Sequence, residues 1–155
     1  MQFITYFLVS LISYLGLAAG IALVKIAPEE QKPLGKYLKI FERILLFAIF
    51  GFVLFYYFNN IFSFLVLLAY FGFLIFINYR PNEKFKLSML NYAVLGIVLS
   101  LSAKNANLLV IESSLVFLFG IGTSCSLYSQ KEKNHFRILF YNLGFLILAN
   151  SVYLL

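Results

Sequence analysis

Glu112 stands inside the apolar run "ANLLVIESSLVFLFGIGTSCS" (106–126) and is the most informative single residue for chemistry. A carboxylate at membrane depth costs on the order of a few kcal/mol and needs a partner. That partner could be a cation, a proton or a substrate amine. Ser113 and Ser114 add hydroxyls beside it, and Thr123 and Ser124 add more further on. Glu112, Phe119 and Ser126 are seven apart and share one helical face. Glu112, Ser113, Thr123 and Ser126, with Lys104 nearby, therefore form a candidate intramembrane binding site. The plainer account pairs Glu112 with Lys104 and treats the hydroxyls as ordinary helix–helix glue. On residue types alone the plainer account is preferred.

Other chemistry finds little support. His135 is the one histidine, so a histidine metal cluster is excluded. Cys125 is the one cysteine; it can form no internal disulfide and has no evident base beside it. No GxSxG, HExxH or P-loop pattern occurs. The expectation is a protein that is not an enzyme and holds no metal or cofactor.

The elements that carry these residues are set by composition. The 155 residues are 63% hydrophobic and 12% charged, with mean hydropathy +0.93. A soluble domain is about half apolar and a quarter charged, and could not hide this much apolar surface. Lipid is the expected solvent. A span needs roughly 17–25 apolar residues. Six segments fit: 3–25, 38–58, 61–79, 87–103, 107–128 and 136–155. The expected fold is all-α: a polytopic integral membrane protein with one domain over 1–155, a bundle of six transmembrane helices. The first segment lacks a positive start and is longer than a signal-peptide core, so it reads as a retained span.

Charge gives the expected topology. Lys25, Lys32, Lys36, Lys39 and Arg43 flank the first connection. Arg80, Lys84 and Lys86 flank the third, and Lys131, Lys133 and Arg137 the fifth. Only Lys104 lies in an even connection. By the positive-inside rule the first, third and fifth connections face the cytoplasm and both termini lie on the other side. Net charge is +6; in this apolar setting it reads as topology, not nucleic-acid binding. Lys36, Lys39 and Arg43 share a helical face and suit anionic lipid headgroups, as do Lys131, Lys133 and Arg137. Pro28 and Pro33 are placed in the first loop. Glu42 and Arg43, at the membrane edge, are expected to snorkel.

Packing signals are also present. Gly16 and Gly20 form GxxxG, and Ala18 and Ala22 extend the small row. Small residues let helix backbones approach where lipid gives no drive to pack. The face could dock another subunit; a contact inside the bundle is preferred. Asn91 and Asn142 read as buried amides bridging helices. Tyr6, Tyr56, Tyr57, Tyr79, Tyr128, Tyr141 and Tyr153 read as an interfacial belt. "SYLG" (13–16), "AYFG" (69–72) and "LFG" (118–120) recur at similar depth in odd spans. Glu42, Asn91 and Asn142 recur in even ones. This is a weak internal hairpin repeat, although any chain of hairpins under the same charge rule looks similar.

Two functions fit. The preferred one is a small non-catalytic subunit or assembly component of a larger membrane complex, with other membrane subunits or its own copies as partners. The alternative is a small transporter or channel for an ion or small molecule, centred on Glu112. Transporters commonly carry broken helices. "FGIGTS" (119–124) is the one Gly-rich place where a span could open, and the absence of proline from every span favours the subunit slightly.

Overall fold

A computed structural model describes residues 2–58, 84–128 and 135–154. Among them the chain is 94% helical, with no strand. Helix α1 spans Phe3–Ile26. It stops at Ala27, whose N–H reaches back to the Leu23 carbonyl at 3.0 Å, and Pro28 follows. A single 3-10 turn, Pro28–Glu30, leads directly into α2, Gln31–Phe58. Helix α3 is Lys84–Ser102 and α4 is Ala106–Tyr128. The last segment is α5, His135–Tyr141, and α6, Gly144–Leu154. The third span expected from sequence, 61–79, lies outside the described residues. Phe3–Ile26, Ala106–Tyr128 and the combined segment Phe136–Leu154 are long and apolar enough to cross a membrane.

Two boundaries differ from expectation. The basic stretch 31–37 is the start of α2, not loop. Pro33 sits in the first turn, where its missing N–H has no intrahelical partner to lose. The final span is not one rod: the helix breaks at Asn142–Leu143. "FGIGTS", the one Gly-rich place where a span could open, stays helical throughout.

The break has a local cause. The Asn142 side chain donates to the Ile138 carbonyl at 2.8 Å, competing for the acceptor that the main chain would use. The backbone then tightens, with Asn142 N–H to Leu139 and Leu143 N–H to Phe140, both at 3.2 Å. The Tyr14 hydroxyl in α1 donates to the Leu139 carbonyl at 2.5 Å, and Ser88 in α3 donates to Asn142 Oδ1 at 3.0 Å. Every carbonyl from Ile138 to Phe140 is thus satisfied. Asn142→Ala is expected to cost about 1–2 kcal/mol, because Ser88 loses its acceptor in a buried place. Thermal melts of the purified variant check this.

The turn between α3 and α4 is equally specific. Asn105 Oδ1 accepts the N–H groups of Asn107 at 2.9 Å and Leu108 at 3.2 Å, an N-cap for α4. Its amide also reaches the Tyr56 hydroxyl in α2. Asn105→Ala is expected to lower stability by about 1 kcal/mol, read as a reduced melting temperature.

Contacts fix the helix directions. Gly16 packs on Phe117 and Gly20 on Ile121, so α1 and α4 run parallel. Glu42 meets Gly122 while Tyr56 meets Asn105, so α2 runs against α4. The Tyr57 hydroxyl donates to the Leu101 carbonyl at 2.6 Å, joining the ends of α2 and α3. Ser88 lies by Asn142 and Gly96 by Phe145 and Ala149, so α3 runs parallel to α5–α6. The ends of α1 and α4 and the starts of α2, α3 and α5 thus share one end of the bundle, here called the basic end. Gly16 and Gly120, from two of the three recurring motifs, face each other across the α1–α4 crossing; the middle motif lies outside the described residues.

The core is Tyr6, Leu17, Ile49, Tyr92, Leu95, Leu99, Val116, Phe119, Ile138 and Phe145. The outer face is also apolar: Ile4, Phe55, Val110, Phe136, Phe140 and Ile147 are all exposed. Large apolar residues on both sides of every helix are what a lipid solvent permits and water does not.

Candidate functional site

Glu112 is reached from the α4 cap. It lies seven residues past Asn105, about 10 Å into the bundle at 1.5 Å per residue. It faces inward and is 0% exposed. Neither carboxylate oxygen has a hydrogen-bond partner. The expected pair with Lys104 is not formed. Lys104 is exposed in the turn ahead of the Asn105 cap, on the outside of the bundle. Its nearness in sequence misled because the turn points it away.

The neighbours expected around Glu112 separate. The Ser113 and Ser114 hydroxyls both donate to the Val110 carbonyl, at 2.9 and 2.8 Å, as serines in helices often do. Thr123 is buried and its hydroxyl has no partner. Ser126 is buried near the basic end. The Glu112–Phe119–Ser126 row does face the bundle interior. Between its polar ends, however, Val116 and Phe119 are 0% and 1% exposed. Phe119 packs against Tyr92 with ring centroids 5.6 Å apart. Apolar side chains fill the row between Glu112 and Ser126.

Glu42 differs from the snorkelling side chain expected. Arg43, beside it, is exposed. Glu42 instead turns inward over Gly122, where an added Cβ would lie 3.2 Å from its Cγ. The Ser126 hydroxyl hydrogen-bonds its carboxyl group. The other oxygen, Oε1, is buried without a partner. Two carboxyl groups therefore sit in the described bundle, one toward each end.

The packing residues fall as follows. Gly16 and Gly20 lie against the α4 backbone within this chain, Ala18 is half-buried and Ala22 exposed. The Ser124 hydroxyl donates to the Leu17 carbonyl at 2.8 Å across the same crossing. Asn142 bridges α3 and the helix break as described. Asn91 is buried with Oδ1 unpartnered. Tyr6 is not a belt residue: it is fully buried, donates to the Ala149 carbonyl at 3.1 Å and stacks on Tyr153 at 4.2 Å. Lys36 and Lys39 lie on α2, with Lys39 exposed. Arg137 lies 5.4 Å over the Tyr141 ring. Lys131, Lys133 and Tyr79 are outside the described residues.

Sequence reading missed Tyr92, Tyr14, Ser88 and Asn105. Asn105 had a signal, a cap residue just before an apolar helix. The others needed the helix directions. No family model, curated protein or solved structure matches this chain.

Proposed function

We propose that the chain is a six-span integral membrane protein that moves a proton, small cation or small molecule by way of Glu112. The observation that carries this is a fully buried carboxyl group with no partner on either oxygen. Such a group is costly unless a proton or a cation neutralises it, and inside membranes it marks a pathway by default. Support for six spans comes from direction. Helices α2 and α3 end at the same end of the bundle, so Phe58 and Lys84 lie at opposite ends of it. The basic end then faces the cytoplasm, near anionic headgroups, with both termini opposite.

One observation favours the other reading, a non-catalytic subunit of a larger complex. Val116 and Phe119 fill the row between the two carboxyl groups, so transport would require Phe119 to move. Extraction from the native membrane in mild detergent, with mass measurement, separates the two. Recovery alone or as a homo-oligomer supports transport. Recovery with other polypeptides in fixed ratio supports the subunit.

A further inference from the structure

Glu42 and Arg43 are neighbours in sequence with opposite fates. The difference is Gly122, which leaves room on α4 for the Glu42 side chain to enter. Once inside, its carboxyl group meets Ser126, and three further groups on α3 and α4 lie in the neighbourhood. Ser126 donates a hydrogen bond to it. A hydroxyl that donates its proton keeps lone pairs to offer. Thr123 lies one turn from Ser126 on α4, and its buried hydroxyl is unpartnered. The Tyr92 hydroxyl on α3 and the Cys125 thiol on α4 lie within electrostatic reach. Tyr92 is 0% exposed and its hydroxyl has no partner. Glu42 Oε1 is also buried and free.

The thiol apart, these are hard oxygen donors with a single formal negative charge. We propose that Glu42, Ser126 and Thr123, with Tyr92 beside them, bind a small monovalent metal cation of the sodium class. One carboxylate balances one positive charge, and neutral hydroxyls complete the shell. A divalent ion needs more carboxylates, and no three His, Cys, Asp or Glu side chains converge among the described residues. Lys39 and Arg43 also act on Glu42 from α2. Both are exposed, where solvent and salt screen them. The site is separate from Glu112 and does not depend on the transport reading.

The test is thermal unfolding of the purified protein in detergent, followed by tyrosine fluorescence, which is clean because the chain has eleven tyrosines and no tryptophan. Sodium chloride is titrated against N-methylglucamine chloride at constant ionic strength. A ligand that binds the folded state raises the melting temperature with concentration. The expected result is a saturable rise of several degrees in the wild type and in Gly35→Ala, where nothing lies within 4 Å of the added Cβ, and none in Glu42→Gln. No sodium-specific rise in the wild type, or a full rise in Glu42→Gln, overturns the proposal. If Glu42→Gln does not fold, Gly122→Ala serves. Its Cβ crowds Glu42 while alanine favours the helix. It should need about tenfold more sodium or greater for the same shift; an unchanged midpoint overturns the proposal.

Discussion

Gly16→Ala is expected to force α1 and α4 apart and to lower stability by about 1–3 kcal/mol. The added Cβ would overlap the carbonyl oxygen of Phe117. That atom is backbone in the middle of a helix and cannot rotate aside. Gly20→Ala meets the same obstacle, 2.6 Å from the Ile121 carbonyl oxygen, and Gly120 closes the crossing from the other side. Without a hydrophobic drive between helices in lipid, close backbone contact and bonds such as Ser124 to Leu17 hold the pair. Losing the approach loses both. Gly35→Ala is the control: nothing lies within 4 Å of its Cβ position, and alanine is the better helix former by about 1 kcal/mol. Melting temperatures in one detergent should fall for Gly16→Ala and hold or rise for Gly35→Ala. Equal behaviour of the two would mean that the crossing is not tight.

The second large effect is at Glu112, where stability and activity should move in opposite directions. An unpartnered buried polar group costs roughly 1–3 kcal/mol, and an apolar side chain of similar size relieves that cost. Glu112→Leu is therefore expected to raise the melting temperature while abolishing flux. Were Glu112 a structural residue with a partner, the same change would destabilise by leaving that partner stranded. Lys104→Ala should leave stability unchanged, because Lys104 is exposed and Glu112 has no partner to lose. A fall in both variants would restore the ion pair.

The long apolar runs made α1 and α4 legible, because length and hydropathy alone define them. The GxxxG at Gly16 and Gly20 was legible as a close contact; that it meets Gly120 was not, since the partner depends on which helices lie side by side. Asn142 read as helix glue. Its break was hidden because a side chain that captures the Ile138 carbonyl looks, in sequence, like any buried amide. Pro33 read as loop because proline usually ends helices, yet the first turn tolerates it. Glu42 reads as a snorkelling side chain because it stands beside Arg43 at a membrane edge. Its inward turn is set by Gly122, eighty residues away, which no local pattern reveals.

The most direct test of the central claim is flux through purified protein in liposomes. Proton and alkali-cation movement would be compared for the wild type, Glu112→Gln and protein-free vesicles. The account predicts flux in the wild type and at least about tenfold less in Glu112→Gln, in line with loss of an essential proton- or ion-binding group. Wild-type flux that survives in Glu112→Gln, or wild-type vesicles no leakier than empty ones, would contradict it.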